Sequence, residues 1–381
     1  MRKTSDDSYG AKRVCTSLVI PFLIASGISC AVAVADTGKD LEDVLNVRDF
    51  GAKGDGQTDD TEALQAAINA ALTLTGGQKP DVTYSRATYP GYPPIAVYLP
   101  RGTYAISDTI RIPVQTYSWN RALRITGEFA RIKAVKEMDS CIHVDTASYL
   151  TIQGLAIDGN NLVKHGFTAF KISGRTALIE RVGVGHALSH GFVLEKCQGA
   201  VFKACSSGEN GGDGWHIMDC NACSFDACAG NRNKGNGFTV TAKDFSGGCV
   251  LRSFWSEGNN GHGVLITSEV SSQVILRDAW IEGNGMDGVN VGSVSAHLAG
   301  LGISGGFREG GADGEGRSKH ASIRLTDKAA GCYVSGCQVR GGGLSGGKIR
   351  IEGDPAMHHV EGNFRMYRSR TVEPLGVDAV K

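Results

Sequence analysis

Glu257 and Glu282 each stand two residues after a tryptophan and two before an asparagine, one repeat interval of 25 residues apart. If the chain stacks these intervals, the two carboxyls come to about 5 Å, a separation that suits a retaining glycosidase pair of nucleophile and acid–base. Trp255 and Trp280 hold the matching slot before them. Their indoles offer either flat surfaces for sugar rings or packing against the core or flank. His262 and Asp287 share another slot, where a His–Asp pair could move a proton. His216 lies close to Asp213 and is a further candidate. Glu180, Lys203, Asp226, Arg252 and Arg277 form a charged slot. Read one way, it is a solvated salt-bridge ladder. Read another way, Asp226 adds a carboxylate, while Lys203, Arg252 and Arg277 receive the carboxylates of an acidic sugar chain, arginine in bidentate fashion.

These slots exist because the chain repeats. Gly166, Gly191, Gly214, Gly237, Gly263 and Gly288 follow one another at 25, 23, 23, 26 and 25 residues. Each follows His, Asp or Asn and precedes Phe, Trp or Val. A fixed period of this length means stacked supersecondary units. Asn210, Asn233, Asn259 and Asn284 stand four places before their glycines. Ile179, Phe202, Phe225, Leu251 and Leu276 stand twelve before, and Leu194, Ile217, Val240, Ile266 and Val291 three after. Short alternating runs bounded by Gly, Asn and Ser read as strands, and no 3.6-residue periodicity competes with them. Each coil is expected to hold two or three short parallel strands, stacked about 4.8 Å apart. Apolar slots should form the core, and the asparagines an amide ladder. The His/Asp/Asn-Gly slot is expected to be a turn that tolerates positive φ.

The segment Asn46–Ile68, NVRDFGAKGDGQTDDTEALQAAI, and the later Val97–Tyr104, VYLPRGTY, resemble the opening of the pectate-lyase-like superfamily. With the repeats, the resemblance covers roughly residues 45–365. It implies an all-β, right-handed parallel β-helix solenoid with a short N-terminal capping helix, and action on polysaccharides. Polygalacturonase-like hydrolases, exopolysaccharide-modifying enzymes and phage tailspikes share this resemblance. Asp59 and Glu62 have the spacing of a capping box, ahead of an apolar stripe of Ala63, Leu64, Ala67, Ile68, Ala71 and Leu72. That helix should plug the open end of the solenoid. The departures are informative. Gly261-His262-Gly263 is present, but it sits in the repeated turn slot, and no Asn-Thr-Asp accompanies it. Arg131-Ile132-Lys133 precedes it instead of following it. Asp354-Pro355 is followed by Ala356, so the Asp-Pro-His of alginate epimerases is not met.

Residues 1–35 have the layout of a secretory signal: Arg2, Lys3, Lys12 and Arg13, an apolar stretch, then Ala33-Val34-Ala35. This divides the chain into a signal peptide, 1–35; an opening segment with the capping helix, 36–75; the β-helix, 76–365; and a loosely ordered tail, 366–381. The expectation is a secreted or periplasmic protein, without stable membrane insertion once the signal is cleaved. Thirty-nine basic and 39 acidic residues give no reason to expect nucleic acid. Nine of the 11 cysteines lie beyond the signal. They read as small buried hydrophobes, with Cys197 and Cys220 in one slot and Cys205 and Cys228 in another. Cys220-x-x-Cys223 lacks the second Cys/His pair of a zinc site, so no metal ligands are assigned. The Gly-rich, charged segment Gly302–His320 breaks the period and reads as a loop inserted between coils.

These observations point to an enzyme acting on an acidic (exo)polysaccharide. Cleavage of glycosidic bonds by paired carboxylates leads. A uronate lyase, in which Ca²⁺ could neutralise the substrate carboxylate, and a non-catalytic glycan-binding or assembly protein stay open. A homotrimer stays open as well.

Overall fold

A computed structural model describes residues 44–76, 95–113, 123–145, 149–172, 177–304, 320–340, 348–366 and 372–380. The expected signal peptide and most of the inserted loop lie outside the described residues. Among those residues, no helix is long and apolar enough to cross a membrane.

The chain winds into a right-handed parallel β-helix of about nine turns, with one α-helix near its start. The coil Val201–Lys203, Ser206–Gly208, Trp215–Met218 shows the plan. Its first two strands join the larger sheet and its third joins the smaller one. Its register with the coils on either side is kept residue for residue. Phe202 pairs with Ile179 and Phe225, and Ile217 with Leu194 and Val240. All these inward positions are buried. Phe192, Trp215 and Phe238 stack face to face, at 3.9 and 5.7 Å between ring centroids.

Left-handed residues make the corners. Arg181, Ala204, Ala227, Ser253 and Asp278 separate first from second strands at φ of 51–54°. His186, Glu209, Arg232, Gly258 and Gly283 end the second strand at φ of 56–68°. The periodic glycines are not among these residues, which corrects the positive-φ expectation for their slot. They are glycines because the neighbouring coil presses on them. A Cβ on Gly191 would lie 1.9 Å from Ser207 Oγ, and one on Gly263 2.6 Å from Ile281 Cγ2.

Two ladders satisfy the polar groups between coils. Asn210, Asn233, Asn259 and Asn284 are buried, and each of the first three donates its amide to the next at 2.9 Å. The slot before each glycine forms a second ladder of acceptors. His190 Nδ1, Asp213 Oδ1, Asn236 Oδ1 and His262 Nδ1 accept the backbone N–H of Asp213, Asn236, His262 and Asp287 in turn. This is why His, Asp and Asn recur there: each carries an acceptor atom a short reach from Cβ.

The helix Thr61–Gly76 packs Leu64, Ala67, Ile68 and Ala71 into the core, as a plug should. Its cap differs from the expected box. Asp59 Oδ1 accepts from Thr61 N, while Asp60 turns back to accept from Lys53 N and Gly54 N. The tail also differs from a loosely ordered end. Val372–Pro374 pairs antiparallel with Phe364–Met366, and Val377–Val380 extends the smaller sheet beside Ile349–Glu352. The nine described cysteines are free and buried.

Candidate active-site groove

The second strands of successive coils stack Ala156, Gly183, Ser206, Ala229, Trp255 and Trp280 in one outward row. They stack Asp158, Gly185, Gly208, Asn231, Glu257 and Glu282 in the next outward row. Small side chains in the middle coils leave a depression that larger ones close. The result is a groove of about 490 Å³, lined among others by Asp158, Gly183, Gly185, Gly208, Asn231 and Glu257.

Four more groove residues are charged or titratable. The second-strand corners point His186, Glu209 and Arg232 into the groove, and Arg131 reaches it from an earlier coil. They form a continuous chain. Asp158 Oδ1 lies 3.0 Å from His186 Nδ1, and His186 Nε2 lies 3.1 Å from Glu209 Oε2. Arg131 Nη1 stands 3.9 Å from Asp158, and Arg232 Nη1 stands 3.7 Å from Glu209. Each ring nitrogen thus has a carboxylate oxygen at hydrogen-bond distance to receive a proton it carries. The His186 side chain is 46% exposed, so a ligand can reach it.

The sequence-derived candidates divide into three sets. Glu257 and Glu282 do pair across adjacent coils, as do Trp255 and Trp280. Glu257 lines the groove. Glu282 Oε2 instead accepts from Trp280 Nε1 at 2.9 Å. Trp255 is 55% exposed on the strand that carries Glu257, whereas Trp280 carries the Arg340 guanidinium 5.0 Å from its ring.

The charged row lies on the first strands and does not line the groove. Lys203 pairs with Glu180 at 3.5 Å, Arg252 with Asp226 at 2.7 Å and Arg277 with Asp278 at 3.1 Å. Each expected sugar-binding cation faces a protein carboxylate, across coils for Lys203 and Arg252 and on the next residue for Arg277.

His262 and Asp287 are adjacent but buried, with 8% and 1% exposure. Burial, above all, pushes the His262 imidazole below its usual range. Burial alone would raise the Asp287 carboxyl, but hydrogen bonds with His320 and Arg324 hold it well below the ordinary range. Both are occupied in holding coils together. His216 projects outward in register with Val193 and Thr239, its Nδ1 3.2 Å from Asp213 Oδ2.

Sequence reasoning passed over Asp158, His186 and Glu209 and used Arg131 only as part of a motif. The available signal was the row of Glu257 read backwards along the chain. There Asn231, Gly208, Gly185 and Asp158 replace large groups with small ones and then with a carboxylate.

Among curated proteins, alginate lyase 7 of Azotobacter vinelandii is 48% identical over 62 residues, which are 16% of this chain and 5% of that protein. The chain thus spans a small fraction of that relative's length. Among solved structures, the A-module of the mannuronan C-5 epimerase AlgE4 of Azotobacter vinelandii superposes with a TM-score of 0.62 at 19% identity, covering 89% of this chain and 98% of that one. An exopolygalacturonase of Thermotoga maritima gives 0.52 at 12% identity, covering 88% and 91%. These two likenesses are of fold. The family model for rhamnogalacturonase A/epimerase, pectate lyase-like, matches residues 44–341, and the chain belongs to that family.

Proposed function

We propose that the protein is a polysaccharide-processing enzyme that cleaves glycosidic bonds of an acidic chain laid along the groove. Proton transfer centres on His186, held between Asp158 and Glu209. That trio in an open groove is the observation that carries the reading. Trp255 stacks on a sugar ring, and Glu257 stands beside it as a further carboxylate. Membership of a family named for a rhamnogalacturonase and an epimerase supports a polysaccharide substrate, as does local similarity to an alginate lyase. Hydrolysis needs an acid for the leaving oxygen and a carboxylate for the water or the sugar carbon. The groove offers Asp158, Glu209 and Glu257 for these roles.

One observation favours β-elimination as the second reading. Arg131 and Arg232 flank the trio with side chains 57% and 73% exposed. Such guanidinium groups can neutralise a uronate carboxylate while a base takes the neighbouring proton. One assay separates the two. The protein is incubated with a panel of uronate-containing polysaccharides, and reducing ends are followed together with the ultraviolet absorbance of unsaturated products. Hydrolysis predicts reducing ends alone, and elimination predicts both. Neither signal from any uronate chain would sink the enzyme reading. Glu257→Gln is expected to lower the rate more than Glu282→Gln, since only Glu257 lines the groove. Equal losses would restore the pair of adjacent carboxylates as the centre.

A further inference from the structure

The acceptor ladder accounts for His190 and for one oxygen of Asp213, and it leaves the rest of that corner unexplained. Asp213 Oδ1 takes the Asn236 N–H at 2.8 Å. Oδ2 faces two imidazoles instead, 3.5 Å from His190 Nδ1 and 3.2 Å from His216 Nδ1. One donor atom from each of His190, Asp213 and His216 lies within 4.8 Å of the others. A third ring, His165, stacks on His190 with centroids 5.5 Å apart, and its buried Nδ1 has no hydrogen-bond partner. His216 bonds the ladder residue three places before it, as Thr239 and Asn290 bond Asn236 and Asp287, but it alone of these brings an imidazole to the position. Its register neighbours Val193 and Thr239 fill the same outward position without a ring nitrogen.

We propose that His190, Asp213 and His216 form a binding site for a divalent transition metal ion such as Zn²⁺. Two imidazoles and one carboxylate suit a borderline ion and not Ca²⁺ or Mg²⁺, which prefer all-oxygen shells. Zinc–ligand bonds of about 2.0–2.2 Å place ligand atoms about 3.4 Å apart, so side-chain rotations of about 1 Å close the site. His190 either exchanges its bond from the Asp213 N–H for the metal or presents its other nitrogen. Three protein ligands leave at least one position for water or a sugar hydroxyl. The site clips two adjacent coils at the far ends of the corner loops that begin with His186 and Glu209.

The test uses the full chain without a histidine tag, stripped with EDTA. Zn²⁺ uptake is followed by equilibrium dialysis, and Co²⁺ by its absorption spectrum. The expected result is one ion per chain at micromolar metal, with a cobalt spectrum free of thiolate charge transfer and a melting temperature that rises with zinc. His216→Gln is expected to weaken binding about tenfold or more, while the metal-free melting temperature stays unchanged. His190→Gln is the second variant and should weaken binding likewise. No stoichiometric uptake would overturn the proposal. So would uptake that survives both substitutions, or a thiolate signature, which would place the ion on the cysteines.

Discussion

His186 takes a left-handed φ of 56° at the corner where the later coils place Gly258 and Gly283. A side chain at such a φ costs some stability, and here it aims the imidazole between Asp158 and Glu209. The same residue types serve two ends in this chain, and burial tells them apart. Asp287 is fixed by Arg324 Nε at 2.9 Å, Ala321 N at 2.7 Å and Asn290 Nδ2 at 2.8 Å. Asp287→Asn is expected to destabilise the fold by about 3 kcal/mol at pH 7, because it breaks a buried ion pair. Its folded carboxyl lies below the unfolded value, so its contribution is present above about pH 4 and fades as pH falls further. Melting wild type and variant in parallel from pH 7 to pH 3 should show the gap narrowing below about pH 4. A constant gap would mean that the carboxylate charge is not what Asp287 supplies.

At the scale of the element, the coil is a set of slots, and most slots were legible. The aromatic and aliphatic positions fell inward, the charged row outward and the asparagines into a ladder. A period-2 pattern with a fixed repeat leaves those slots little choice. The glycine slot was legible as a position and misread as a cause, because pressure from the next coil leaves no trace in a single coil's sequence. Asn233 tests the ladder. Its Oδ1 accepts from Asn210, and its amide donates to Ser207 O and Asn259 Oδ1. Asn233→Ala leaves several of these buried groups unpaired, at about 1–3 kcal/mol for each. Urea unfolding is expected to show a loss of at least one such increment. A neutral substitution would mean that the ladder is ornamental.

On the scale of the whole molecule, the solenoid supplies stacking, and variation between coils supplies the site. The groove exists because Gly183, Gly185 and Gly208 stand where Trp255 and Glu257 stand later. Repetition made the fold readable. It also hid the site, since attention goes to charges that recur, such as Glu257 and Glu282, and not to places where the pattern lapses. Asp158, His186 and Glu209 come from three coils and two slots, so only the register of the folded chain joins them. In the function proposed above, this trio performs proton transfer on a bound sugar chain. The most direct measurement is the turnover of His186→Gln on whichever uronate polysaccharide the wild type cleaves, with its melting temperature taken in parallel. A fall in kcat of about 10²–10⁴-fold is expected, with the fold intact. Full turnover by a folded His186→Gln would contradict it.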